Sequence, residues 1–257
     1  MLQFIKDIAR EAGDIIYKAF YKPETNIIHK GEIDLVTEID LKCEYYLIGK
    51  IRENYPDDCI ITEEQETINP DSNRKWIIDP LDGTTNFSHR FPFCAVSIGL
   101  EIDGEMRYGV VNAPIIKELF WAEKGKGAFL NFMQIHVSKT DQISNCLVAT
   151  GFPYDRWQNA DFYIKEFLAF TKSTQGVRRA GAAAIDLCYV ACGKLDGFFE
   201  RKLKPWDMAA GSLIITEAGG KITQFNGSKW HHSEQTILAS NGIIHDEMVE
   251  ILGKAHI

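Results

Sequence analysis

The stretch Trp76-Ile77-Ile78-Asp79-Pro80-Leu81-Asp82-Gly83-Thr84-Thr85-Asn86-Phe87 decides how the rest of the chain reads. Trp76–Ile78 looks like the end of a buried strand that delivers Asp79. Pro80 lacks the amide that a sheet ladder needs, so the chain is expected to turn there. Asp82 can then swing back beside Asp79. Gly83 and Thr84 enter a turn or helix start, where unpaired N–H groups bind an oxyanion. Acids sit badly beside anion-binding amides unless cations stand between them and the anion, because two like charges about 4 Å apart repel by about 4 kcal/mol at an effective dielectric of ~20. Mg²⁺ resolves that conflict, since it takes oxygen ligands from a few carboxylates, waters and phosphate. No Cys/His cluster competes for zinc.

Other acids are expected to converge on this stretch. Glu63 and Glu64 follow the apolar run Cys59–Thr62, and Asp207 opens a helix after Pro205-Trp206. Each has a bland alternative: Glu63 as a solvated loop acid, Asp207 as a helix-start acid favoured by the dipole, Asp40 as part of a helix cap. The packing of two acids, a kink and a glycine into Asp79–Gly83 tips the balance towards a site.

Around the site, apolar spacing predicts helices over 2–21, closed by Pro23, and over Glu38–Asn54 with Thr37 as N-cap. Residues 93–102 and 106–112 alternate around Asp103-Gly104-Glu105 and read as a hairpin. Short strands follow at Glu118–Ala122 and Gln134–Val137, with the turn-rich Lys124–Gly127 between them. The second half begins near Cys146–Thr150. It carries helical patterns at about 158–172, 182–192, 206–218 and 245–254, and strands near 196–200, 221–225 and 236–240. Gly193 and Gly219-Gly220 stand where helix C-caps belong. The irregular alternation points to a layered α+β architecture rather than a βαβ repeat. One domain spanning 1–257 is expected, with subdomains of about 1–142, holding the Asp79–Thr84 stretch, and about 143–257, holding Asp207.

Composition narrows the function class. The 257 residues are 45% hydrophobic and 25% charged, with a net charge of −8. That balance disfavours a general nucleic-acid or membrane-surface binder. The N-terminal segment is amphipathic and acid-bearing, unlike a signal peptide, and no run reaches a membrane span. The six cysteines form no C-x-x-C pair, so a reducing cytoplasm is the expected compartment. Cys188 and Cys192 share a helix face and read as packing rather than a metal pair. His231-His232 reads as a solvent-facing turn pair rather than a metal site, and Asn226-Gly227 as a tight turn.

With WIIDPLDGTTNF at 76–87, Glu63-Glu64 upstream, PWDMAAG at 205–211 and TEAGG at 216–220, nearly the whole chain resembles the inositol monophosphatases, within the lithium-sensitive, magnesium-dependent phosphatases. The resemblance implies an αβαβα sandwich of the sugar-phosphatase (inositol monophosphatase and fructose-1,6-bisphosphatase) type, a homodimer, and hydrolysis of a small phosphorylated polyol by water activated on two or three Mg²⁺ ions. By position, Glu63, Asp79 and the Leu81 carbonyl would hold one ion, and Asp79, Asp82 and Asp207 a second, with a third near Glu63. Gly83 and Thr84 amides would cradle phosphate. Asp40 and the Thr84 hydroxyl would orient the attacking water, and Glu63 joins them in the catalytic set. Gly181, Ala182, Ala183 and Glu200, with Asp82 and Asp207, would meet the substrate. Two positions depart from the family pattern. Thr62 replaces a usual glycine, and a family lysine aligns between His29 and Lys30, out of register.

Other readings compete with this one. Arg178 and Arg179 could grip a second phosphate, as fructose-1,6-bisphosphatase activity requires, or form a salt-bridge or interface pair. Some bacterial relatives also bind the transcription machinery, independent of catalysis, which would make RNA polymerase a partner through the same arginines. A 3′-phosphonucleotide phosphatase fits less well, because the chain is too compact for nucleotide-binding insertions.

Overall fold

Ile5, Ile8, Ala12 and Ile16 recur at helical spacing, and all four are buried along one side of α1 (Leu2–Phe20). The computed structural model describes residues 1–22, 27–29 and 35–256. The expectations at Pro23 and at the lysine position between His29 and Lys30, together with the side-chain cap expected of Thr37, lie outside the described residues. After α1 come an antiparallel pair, β1 (Ile27–His29) and β2 (Leu35–Thr37), and then α2 (Glu38–Asn54). The chain continues through β3 (Cys59–Thr62), β4 (Arg74–Asp82), α3 (Thr84–Ser88), β5 (Ala95–Ile102), β6 (Glu105–Ala113), β7 (Glu118–Glu123), β8 (Ala128–Leu130) and β9 (Met133–Ile135). Strands β3 to β9 lie side by side in chain order in a 7-stranded sheet. Only the β3–β4 pair in it is parallel. Asp103 and Gly104, at φ 53° and 76°, form the two-residue turn joining β5 to β6.

The second half supplies β10 (Leu147–Thr150), α4 (Arg156–Ser173), β11 (Gly176–Arg178), α5 (Ala183–Ala191), β12 (Gly197–Arg201), α6 (Pro205–Glu217), β13 (Lys221–Thr223), β14 (Thr236–Ser240) and α7 (His245–Lys254). Its 5-stranded sheet has the order β11-β10-β12-β14-β13.

The two-residue period of strands sorts side chains into layers. On β5, Val96, Ile98 and Leu100 join α1 and α2 in one core, while Ala95 and Ser97 face the opposite way, towards α5 and α6. On the second sheet, Phe198, Ile237 and Ala239 turn to that same α5–α6 layer. Their neighbours Phe199 and Leu238 pack outward with Phe170 of α4 and Met248 of α7. The result is helices, sheet, helices, sheet, helices: the αβαβα sandwich. The helix α6 lies unusually close to the first sheet. A Cβ on Gly109 would stand 2.6 Å from the Ala210 carbonyl oxygen, so β6 has no side chain there and the helix rests on its backbone.

One expectation fails at the motif itself. The chain does not leave the sheet at Pro80. β4 runs on to Asp82, with Asp79 paired to Ser97 and Asp82 paired to Ala95. Pro80 and Leu81 therefore stand together opposite Val96, as a bulge, where the missing proline amide is tolerated. Residues three apart on a regular strand face opposite ways. The extra residue puts Asp79 and Asp82 on the same face, the one that meets α6. The three-residue strands β8 and β11 had no periodic signature to reveal them.

Among the described residues the six cysteines are all free thiols, and Cys188 packs in the core beside α6. No described helix is long and apolar enough to cross a membrane.

Candidate active site

The bulge is held by its own acids. Asp79 Oδ1 accepts the Leu81 N–H at 2.9 Å, and Asp82 Oδ2 accepts the Ala184 N–H at 2.8 Å. Ala184 lies in the first turn of α5, so Asp82 faces the positive end of that helix. Beyond the bulge Gly83, at φ 86°, turns the chain into α3. The Thr84 hydroxyl lies 2.8 Å from Asp40 Oδ1 and 3.1 Å from the Leu81 carbonyl oxygen. Asp40 is buried in the first turn of α2.

Two other elements bring the remaining acids. Glu63 follows β3, and its turn is tied to α2: the Glu64 N–H and Gln65 Nε2 each donate to buried Glu44 at 3.0 Å. Asp207 sits in the first turn of α6, where its Oδ2 accepts the Lys204 N–H at 2.7 Å. The helix-start reading of Asp207 is therefore true, and compatible with a second role. The Ser97 hydroxyl donates to the Trp206 carbonyl at 3.2 Å and pins that helix start to β5.

Glu63, Asp79, Leu81, Asp82, Gly83, Thr84, Gly181, Ala182, Ala183, Glu200 and Asp207 all line one cleft of about 170 Å³. Asp40, the remaining residue expected at the site, is buried behind Thr84.

The charge balance of this cleft is unusual. Burial pushes the Asp79 carboxyl well above the usual carboxylate range, and the charges of Glu63, Asp82 and Asp207 push it further. Burial and the Asp207 charge raise Asp82 to about 8, and burial raises Asp207 to about 6. Glu200 is likewise pushed well up, by burial and then by Asp186 and Asp207. Buried oxygen donors that repel one another fit a divalent cation that takes oxygen ligands, since its charge reverses each of these shifts. The acids are spaced rather than collapsed together. Among the described residues, the three ligand atoms found mutually within 4.8 Å belong to Glu101, His231 and His232, towards the other end of β5.

Several participants escaped the sequence reading. Arg178 and Arg179 do not act as a pair: both are exposed, but Arg179 lines the cleft, where its charge draws Asp186 and Glu200 down, whereas Arg178 lies outside the lining. Asn86 donates to the carbonyls of Phe93 at 2.8 Å and Ala180 at 2.9 Å, binding α3 to the segment that carries Gly181. A Cβ on Gly151 would fall 2.2 Å from Glu200 Oε1, so bare backbone makes room for that carboxyl. The Gly151-Phe152-Pro153 run after β10 was the available signal. For Glu44 the signal was an acid on the apolar face of α2. The histidine pair also departs from expectation. His231 is half-exposed, but His232 is largely buried and bonds to Glu101 at 2.8 Å, because the β13–β14 turn folds against the first sheet.

A family model described as the inositol monophosphatase family matches residues 1–256. An inositol-1-monophosphatase of Synechocystis is 44% identical over 253 residues, spanning 98% of this chain and 88% of its own. The Escherichia coli protein named Nus factor SuhB is 42% identical over 243 residues, spanning 94% of this chain and 91% of its own. The solved inositol monophosphatase of Anabaena shares the fold at a TM-score of 0.90 and 39% identity, with 98% of this chain and 95% of that one covered.

Proposed function

The chain belongs to the inositol monophosphatase family, and from that premise we propose that it hydrolyses myo-inositol monophosphate or a similar small polyol phosphate with Mg²⁺ held by the cleft acids. Family membership makes it a phosphoric monoester hydrolase. The observation that carries the finer reading is the bulge of β4, which turns Asp79 and Asp82 to one side, into a cleft shared with Glu63 and Asp207.

Glu63, Asp79, the Leu81 carbonyl, Asp82 and Asp207 are the residues we assign to two Mg²⁺ ions, with a third near Glu63. Bound there, Mg²⁺ lowers the pKa of a water and neutralises the leaving oxygen. The protein's own groups supply the aim. With its hydrogen given to Asp40, the Thr84 oxygen offers a lone pair to an O–H of the attacking water, leaving a water lone pair to face phosphorus. Glu63 belongs to the same catalytic group. The Gly83 and Thr84 amides at the start of α3 are suited to receive the phosphate oxygens. Glu200, Gly181, Ala182 and Ala183 form the side that meets the alcohol, together with Asp82 and Asp207.

Arg179 bears on the rival bisphosphate reading. Its charge bears on Asp186 and Glu200, on the side of the cleft that we assign to the alcohol, which favours hydroxyl recognition there. We also read the protein as a lithium-sensitive cytoplasmic homodimer. The name of the Escherichia coli relative raises a contact with the transcription machinery. Because Arg179 lies in the cleft, a pull-down with RNA polymerase should use exposed Arg178→Ala against wild type.

The deciding assay measures phosphate release from myo-inositol 1-phosphate, fructose 1,6-bisphosphate and a nucleoside monophosphate, with Mg²⁺, with added Li⁺ and with a chelator. Inositol phosphate should turn over only with Mg²⁺, and Asp79→Asn should lower kcat/KM by about 10³-fold or more. Full turnover in the chelated enzyme, or in Asp79→Asn, would sink the proposal.

A further inference from the structure

The cluster at the other end of β5 has a donor set of another kind. Glu101 is a buried residue of that strand, at 3% exposure. His231 and His232 stand in the turn between β13 and β14. His232 Nε2 lies 2.8 Å from Glu101 Oε2, and His231 Nε2 lies 3.8 Å from the same oxygen. One ligand atom from each of the three side chains falls within 4.8 Å of the other two. We propose that Glu101, His231 and His232 form a second metal site, for Zn²⁺ or a similar transition-metal dication, which fastens the β13–β14 turn to the first sheet.

Two imidazoles and a carboxylate are ligands that Zn²⁺, Ni²⁺ and Cu²⁺ accept, whereas Mg²⁺ takes oxygens. Bonds of about 2.0–2.1 Å in a tetrahedron set neighbouring ligand atoms roughly 3.3 Å apart. The observed 2.8 and 3.8 Å bracket that separation, so modest side-chain shifts admit an ion. The half-exposed His231 gives it a way in from solvent and leaves room for a water as fourth ligand.

The surroundings orient these donors. The Ser233 hydroxyl lies 3.0 Å from His231 Nδ1, which also accepts the Ser233 N–H at 3.3 Å; once Nε2 holds an ion, Nδ1 must carry the proton and donate it to that hydroxyl, which orients the ring. Lys75 Nζ lies 3.6 Å from Glu101 Oε1, which leaves Oε2 to the histidines. The Lys75 charge also weakens the site. His232 Nδ1 is buried without a hydrogen-bond partner, so that ring is anchored through Nε2 alone. An ion bound at Nε2 requires the neutral ring to carry its proton on Nδ1 instead, a change of tautomer with no net loss of a proton.

The test is equilibrium dialysis of the full chain against Zn²⁺ in excess Mg²⁺, with bound zinc measured by elemental analysis and melting temperature recorded alongside. Wild type should retain zinc and melt higher with it. His231→Asn, a change at a half-exposed position remote from the cleft, should bind at least about tenfold more weakly at this site, lose the zinc-dependent rise in Tm, and keep its Mg²⁺-dependent turnover. Lys75→Gln should bind zinc more tightly, and Asp79→Asn should keep the site. Equal zinc uptake and equal Tm shifts in wild type and His231→Asn would overturn the proposal.

Discussion

Glu200 and Arg201 are neighbours on β12, yet they serve opposite kinds of surroundings. Glu200 enters the cleft, where Asp186 and Asp207 add to burial and hold its carboxyl far above the usual range, with Arg179 opposing them. Arg201 turns to buried Glu166 of α4 and grips it through Nε at 2.7 Å and Nη2 at 2.5 Å, while His256 Nε2 reaches the same oxygen at 2.8 Å. One buried acid has its counter-charge built into the fold. The cleft acids face chiefly one another. A built-in pair is a clasp; carboxylates left to repel keep a place for a cation drawn from solution. Where the positive charge comes from separates scaffold from site.

The sharpest way to break this contrast is Asp207→Asn. The amide can still cap α6, but the site loses a charge. We expect kcat/KM to fall by roughly 10²–10³-fold, while the chelated protein melts at the same temperature or higher. A variant that lost activity and Tm together would make Asp207 a clasp residue after all. Glu166→Ala should do the reverse. It strands a largely buried Arg201 and should cost about 3–5 kcal/mol in urea unfolding, with turnover per folded molecule within about threefold of wild type. Gly109→Ala sharpens the comparison from the scaffold side. A methyl forced against the Ala210 carbonyl should cost about 1–3 kcal/mol and slow turnover by displacing α6, both readable from denaturation and a phosphate-release assay.

The mildest effect concerns a buried group with neutral partners. His245 sits between the hydroxyls of Thr223 and Ser240, each at 2.8 Å, and burial, with Lys221 nearby, lowers its pKa from 6.5 to about 4. The unfolded chain takes up a proton below pH 6.5 and the folded chain only near pH 4, so stability declines as pH falls through that window and levels off beneath it. The loss is less than about 1 kcal/mol at pH 6, and thermal melts of His245→Gln should show a flatter acid limb.

Much of this was readable in the sequence because it is local. Helical spacing points to α1 and α2, and acids that follow apolar runs or open a helix single out Asp79, Asp82, Glu63 and Asp207, which the fold gathers in one cleft. What stayed hidden depends on partners far along the chain. The bulge exists only relative to the pairing of β4 with β5, so Pro80 read as an exit from the sheet. Arg178 and Arg179 look like a pair because nothing local shows that β11 ends at Arg178, after which the chain carries Arg179 into the cleft lining. Glu44, Asn86 and Gly151 matter through contacts with Glu64, Ala180 and Glu200 that no short window contains. His232 read as surface because the sheet that covers it lies on the other side of the fold.

Counting, more than chemistry, governs the edge of β4. A slip of one position there would leave every amino acid in place and every helix intact, yet aim the residue-82 carboxylate into the greasy layer under α1 and α2. Between Ile78 and Gly83 the protein should therefore forgive a changed letter more readily than an added one.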